Sequence, residues 1–426
     1  MKKRSINDIL KEQIARISPS DAEMKILGFR VSELVKNLEM NIKKNKIKAQ
    51  VFVGGSFARD TLIKKNKYDV DVFIRFDEKT VEEKLSALMK KIVPKNSVLL
   101  HGSRDYYSIK EPENIAEFEI IPVFRIKKPE SAKNITDLSY FHVNYIRNKI
   151  KKNKKLADEI RLAKAFAFFQ DCYGAESYIN GFSGYGIELL VASYGSFLNF
   201  IRAVAKADAE EHKIILDPEK LFKNKDEIMQ QMNESKLLSP IVFIDPTYKE
   251  RNALAALSLG TFEKFKSSCS RFLKNPLNRF FESIDVEKKF EDKYRKKLIK
   301  LEITTEKQAG DIAGTKLKKF SGFFLRELER YFDVKASEFI YDEPQNVGKI
   351  LLVVEARKEI VFPGPPIEMK KPLREFKKEH KKIKIIKGKA FAYEKNKLDF
   401  PSFLKDFENE KSSVIASMDI EGIKIA

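Results

Sequence analysis

Residues 54–76 read Gly-Gly-Ser-Phe-Ala-Arg-Asp-Thr-Leu-Ile-Lys-Lys-Asn-Lys-Tyr-Asp-Val-Asp-Val-Phe-Ile-Arg-Phe, and this run restricts the fold more than any other segment of the chain. Val51, Phe52 and Val53 just before it predict a short buried strand, which Gly54 and Gly55 break. Past the lysines, residues 70–76 alternate apolar side chains with Asp71, Phe73 and Arg75, the pattern of a second strand. Side chains two apart on a strand share a face, so Asp69 and Asp71 point the same way. Close carboxylates repel unless a cation joins them, and hard Mg²⁺ with oxygen ligands is the natural candidate. The Gly54-Gly55-Ser56 turn offers backbone N–H groups and a hydroxyl to phosphate oxygens, and Arg59 adds a guanidinium to the same triphosphate. A further strand is expected over residues 116–124, closing near Pro122. If it pairs with the first, Glu119 completes a three-carboxylate cage, with Glu117 on the same face as the alternative ligand. The set suits two-metal transfer of a nucleotidyl group to a 3′-hydroxyl, with charge on the leaving pyrophosphate neutralised.

Around this run the chain divides into three expected parts. Residues 1–150 predict an α+β head: Ser20 and Glu23 have capping-box spacing, apolar residues follow at helical period to Leu38, and a basic segment over 43–48 ends that helix. A lysine-rich stretch over 149–155 marks the next boundary. Residues 151–275 are expected to be a mainly helical neck, and 276–426 an α+β body and tail. The tail carries a run over 370–389 with ten Lys or Arg against Glu375 and Glu379. Lysine and arginine total 82 against 62 acidic residues, a net charge of +20, which favours a polyanionic partner, nucleic acid first. Membrane insertion is not expected, because apolar runs fall far short of the roughly 20 residues a spanning helix needs. Met1-Lys-Lys-Arg resembles the charged start of a signal peptide, but polar residues from Asn7 to Gln13 interrupt any apolar core. Cys172 and Cys269 are too few and too far apart for a disulfide framework or a zinc site, so a reduced, cytoplasmic protein is expected.

The chain resembles the archaeal-type, or class I, CCA-adding enzymes (CCA tRNA nucleotidyltransferases). The resemblance extends beyond the Ser56-to-Asp71 run, which poly(A) polymerases and oligoadenylate synthetases share. It continues through Glu119-Ile-Ile-Pro122, Phe141-His142, Arg161-Leu-Ala-Lys164 and Tyr173-Gly-Ala-Glu176. Gly181-Phe-Ser-Gly-Tyr-Gly-Ile-Glu-Leu-Leu190, Tyr194-Gly-Ser-Phe197, Asp245-Pro-Thr-Tyr-Lys-Glu-Arg-Asn252 and Phe362-Pro-Gly-Pro-Pro366 follow in order. It implies a multidomain α+β fold: a nucleotidyltransferase palm with a mixed sheet and helices, a helical neck, and an α+β RNA-binding body and tail. The implied activity is template-independent addition of CCA to the tRNA 3′ end from CTP and ATP. The implied partners are the tRNA acceptor arm and 3′ end, CTP and ATP, with no membrane; a homodimer is left open. By the same resemblance Asp69, Asp71 and Glu119 are catalytic and hold the metals, and Ser56 and Arg59 contact the triphosphate. His142, Lys164 and Tyr173 match further nucleotide-contacting positions, and Arg251 the arginine that reads the base. Two departures stand out: the third carboxylate is Asp in familiar members and Glu119 here, and Leu138-Ser-Tyr replaces the usual Arg-Thr-Pro before Phe141-His142. The rival readings are a poly(A)-polymerase-like or oligoadenylate-synthesising transferase and a non-catalytic RNA-binding relative.

Overall fold

The computed structural model describes residues 4–65, 67–102, 104–110, 115–209, 211–283, 285–305, 310–343 and 345–426. It contains two compact units, Met1–Ala175 with Ile179–Ser283, and Glu176–Tyr178 with Ile284–Ala426.

The first unit opens with α1 (Ile6–Ile17) and α2 (Asp21–Lys44), each started by a serine capping box, Ser5 with Asp8 and Ser20 with Glu23. The sequence reading anticipated only the second. Then come β1 (Ala49–Val53), the single helical turn α3 (Gly55–Ala58), β2 (Tyr68–Asp77), α4 (Leu85–Ile92), β3 (Val98–Leu100), β4 (Tyr106–Lys110) and β5 (Ala116–Arg125). The strands form one mixed sheet in the order β1-β2-β5-β4-β3. Its two long central strands run parallel while every other pair is antiparallel. Val70, Val72, Ile74 and Phe76 turn one face of β2 into a core with Leu27, Val31, Leu34 and Leu38 of α2. The alternate residues, Asp69 and Asp71 among them, therefore face the other way.

The strand expected over residues 116–124 is β5, which runs one residue further to Arg125 and carries Pro122 within it, opposite Ile74. β4 pairs only with Glu117 to Ile120, so at Pro122 one side of β5 is open and a missing N–H is tolerated there.

Beyond the sheet lie α5 (Ser139–Lys152), α6 (Leu156–Phe169), α7 (Gly184–Tyr194) and α8 (Phe197–Lys206). A small sheet of β6 (Ile214–Leu216), β7 (Ile241–Asp245) and β8 (Tyr248–Asn252) follows, with α9 (Lys225–Gln231) and α10 (Glu234–Leu237) between its strands, and α11 (Leu259–Lys274) closes the unit. These helices share a second core built on Phe166, Phe182, Phe197, Phe200, Phe265 and Phe272, to which α1 adds Ile9, Leu10 and Ile17. Among the described residues no single helix is long and apolar enough to cross a membrane; α7 and α8 pass together only as a pair bent by 95°, and both contribute to this core.

The second unit contains α12 (Val286–Tyr294), β9 (Leu298–Thr304), α13 (Gly310–Leu328), β10 (Phe332–Asp342), β11 (Val347–Ala356), β12 (Glu359–Pro366), α14 (Lys370–Glu379), β13 (Ile383–Ile386), β14 (Lys389–Lys395), α15 (Phe400–Glu410), α16 (Ser412–Ser417) and β15 (Gly422–Ile425). One sheet, β10-β11-β9-β15, packs with α13 and α15 through Phe320, Phe324, Phe403 and Phe407. The other, β12-β14-β13, borders α14, so the basic run forms a helix and an edge strand with mostly exposed side chains.

Candidate active site

The carboxylates sit where the strand register brings them. Asp69 lies opposite Glu117 and Asp71 opposite Glu119 across the parallel β2–β5 pair, so four acidic side chains share one face of the sheet. Lys67 and the Ser108 hydroxyl, 2.5 Å away, both donate to Glu117, which occupies it within the head. Asp69 accepts from Lys65 at 3.2 Å. Burial pushes the Asp71 carboxyl above its ordinary value; Arg59 and Lys164 oppose the shift and Asp69 adds to it. Among the described residues no three such side chains stand as a ready-made metal cage. The donor set nevertheless fits a divalent cation: all-oxygen, two carboxylates on one face, and a repulsion between them that a cation would relieve.

The turn before β2 is shaped around Asp71. The Gly54 N–H donates to the Asp71 carbonyl at 2.9 Å, which ties the turn to the strand. Gly55 opens α3 with φ +62°, and a Cβ there would stand 1.7 Å from Asp71 Oδ2. Only glycine combines that backbone with that approach. Half-buried Ser56 follows in the same turn, and Arg59 caps its end.

Arg59 and Lys164 meet on one residue the sequence reading left unassigned. Glu188, fully buried near the start of α7, lies 2.7 Å from Arg59 Nε as an ion pair and accepts from Lys164 Nζ at 2.6 Å. The Thr61 hydroxyl donates to Glu188 at 2.6 Å and accepts from Lys164 at 3.0 Å. Burial works against the Glu188 charge, but Arg59 and Lys164 hold its carboxyl below the usual range. Burial lowers Lys164 to about 8, with Glu188 opposing the shift. Tyr173 closes this side: a Cβ on Gly184 would come 2.7 Å from its hydroxyl and 3.9 Å from Lys164 Cε.

A second cluster adjoins the first. His142 of α5 is buried, stacks on Tyr185 of α7 with ring centroids 4.2 Å apart, and holds Nε2 3.0 Å from Asp245 Oδ2. Arg251 Nη1 donates to the same oxygen at 2.6 Å, while the Thr247 N–H and hydroxyl and the Tyr185 hydroxyl donate to Oδ1. Burial alone would raise Asp245, but His142, Arg251 and the Thr247 N–H hold it well below the usual range. Burial pushes the His142 imidazole below its ordinary value, with Asp245 opposing the shift. Arg251 also lines a cavity of about 270 Å³ with Lys236, Asn252 and Ser183.

The structure thus gathers Arg59, Asp69, Asp71, Glu119 and Lys164 beside one another, and His142 with Arg251 next to them. It also shows Lys164 and His142 engaged with protein carboxylates rather than facing open solvent. Glu188, Thr61, Tyr185 and the full role of Asp245 were not identified in the sequence. The available signal was a charge inside an apolar run, Glu188 within α7 and Asp245 at the end of β7.

Residues 158–282 match the family described as tRNA nucleotidyltransferase, second domain, and residues 4–155 the second messenger oligonucleotide or dinucleotide synthetase domain. The chain is 32% identical to the CCA-adding enzyme of Nanoarchaeum equitans over 283 residues, 66% of this chain and 67% of that protein. It is 29% identical to the CCA-adding enzyme of Methanocaldococcus jannaschii over 403 residues, 91% of this chain and 87% of that protein. Among solved structures, a cytoplasmic RNA terminal U-transferase superposes with a TM-score of 0.51 at 15% identity, covering 66% of this chain and 98% of its own. Cid1 in complex with its short product ApU gives the same score, covering 67% and 100%. At that identity the two structures speak for the fold.

Proposed function

This chain belongs to the CCA-adding enzymes, which add CCA to the tRNA 3′ end from CTP and ATP without a template, and we propose which of its residues carry that reaction. Asp69, Asp71 and Glu119 would hold Mg²⁺, and Ser56, Arg59 and Lys164 would bind the triphosphate, with Tyr173 beside it. Arg251 would read the base, and His142 would pack beneath it. The supporting observation is the register of β2 on β5, which sets Glu119 across from Asp71 with Asp69 on the same face. Bound there, Mg²⁺ supplies Lewis-acid activation of the attacking 3′-hydroxyl and neutralises the departing pyrophosphate.

The remaining work falls to the chain itself. Arg59 and Lys164 set positive charge beside the carboxylates, where a triphosphate can align its α-phosphate for in-line attack. The head (1–150), neck (151–275), and body with tail (276–426) are the proposed functional parts, and the exposed basic run of α14 and β13 would grip tRNA phosphates. Buried free Cys172 and Cys269 fit a reduced, cytoplasmic setting. The second messenger synthetase likeness covers the head alone, while the tRNA nucleotidyltransferase likeness covers the helices beyond it, which favours tRNA as the acceptor.

Asp71→Asn tests the assignment. Transfer of labelled CTP should fall at least about a thousandfold while tRNA affinity, read by filter binding, stays within about twofold of the parent. Persistent transfer would show that the metal ligands lie elsewhere.

A further inference from the structure

We propose that Glu188 is a positioning residue for the triphosphate: from helix α7 it holds Arg59 and Lys164 side by side for nucleotide binding.

The geometry carries this. Arg59 follows the head turn, Thr61 lies two residues further on, Lys164 belongs to α6, and Glu188 comes from α7; all converge on one buried carboxylate. Two cations this close repel and lose hydration on burial, a combination that persists only with an anion between them. Glu188 supplies that anion. Its Oε1 takes Lys164 and the Thr61 hydroxyl, its Oε2 faces Arg59, and Lys164 gives a further bond to the Thr61 carbonyl at 3.3 Å. One negative and two positive charges leave a surplus of one positive charge close enough to Asp71 for Arg59 and Lys164 both to act on its carboxyl. That surplus fits a phosphate, and it exists only while both cations stay charged and oriented. The arrangement also links the neck to the head, since α7 sets where the head's own Arg59 can reach. Nothing in the reaction requires Glu188 to touch substrate; it acts through its two partners.

The inference rests on the reading of Arg59 and Lys164 as triphosphate ligands, so the experiment separates the two. CCA addition is measured for the parent, Arg59→Ala, Lys164→Ala, Glu188→Gln and Thr61→Val, with KM and kcat determined for CTP and for ATP. Glu188→Gln should raise KM for both nucleotides by about tenfold, the size of one lost charge-assisted hydrogen bond, with tRNA KM unchanged. Thr61→Val keeps every charge and should raise the nucleotide KM a few-fold. A purely structural role would instead lower kcat through a smaller active fraction and leave KM alone. If Arg59→Ala and Lys164→Ala leave nucleotide KM unchanged, the triphosphate reading itself fails. If they raise it while Glu188→Gln and Thr61→Val do not, or if Glu188→Gln lowers it, the positioning role is overturned. Should Glu188→Gln not fold, Thr61→Val decides: an unchanged KM there overturns the proposal.

Discussion

At the scale of single residues, the site depends on how closely backbone and carboxylate approach. Gly55 is the sharpest case, because its φ of +62° and its 1.7 Å clearance from Cβ position to Asp71 Oδ2 exclude any side chain. Gly55→Ala should therefore displace Asp71 and lower kcat for CTP incorporation by about a hundredfold, since a misplacement near 1 Å at the reacting centre costs that much. The strain is local, on the order of 1–3 kcal/mol, so thermal unfolding should shift by only several degrees. Full activity in this variant would contradict the geometry of the turn. The aspartates were legible because strand periodicity alone puts them together, and the turn because glycines break a strand. The bonds that Lys67 and Ser108 give Glu117 were not, because no periodicity reports side-chain partners 50 and 9 residues away. Glu188 was hidden for a similar reason: its partner Thr61 is 127 residues away in the chain.

At the scale of elements, Asp245 is the junction of α5, α7 and β8, through His142, Tyr185 and Arg251. Replacing it by asparagine leaves the Arg251 guanidinium without its counter-ion and should destabilise the protein by about 3 kcal/mol at pH 7. The native carboxyl sits well below its ordinary 3.8, so its contribution is complete above that value and is lost as the pH falls below it towards the native one. The gap in thermal stability between parent and Asp245→Asn should accordingly narrow once the pH drops under 3.8. A gap independent of pH would mean that the charge is not what stabilises the junction. Long periodic elements such as α2 and β2 were readable from their patterns. The strands of the small sheet were not: β6 has three residues, β7 is buried throughout, and β8 runs Lys249, Glu250 and Arg251 together, so none of them alternates. At β5 the strand runs through Pro122 because it is paired on one side only where the proline falls.

At the scale of the whole molecule, the +20 charge and the acidic face of the sheet divide the work. On the proposed reading, basic residues across the chain would supply salt-sensitive, sequence-independent attraction for tRNA phosphates. The carboxylates of β2 and β5 would confine the chemistry to one place, and the buried cations beside them join that face to α6 and α7. The α+β class of the head was legible because residues 51–76 read as strand, turn and strand after a periodic helix, while the mixed sheet came only with the family resemblance. That most of residues 151–275 share one compact unit with the head was not, because the core joining them takes Ile9, Leu10 and Ile17 from α1, far away in the sequence. The most direct measurement incubates the protein with Mg²⁺ and a tRNA lacking its last three nucleotides, with labelled CTP and ATP supplied singly and together. The account predicts two C residues from CTP alone, one further A when both are present, and then no more; a long A tract, or equal addition to unrelated RNA, would contradict it.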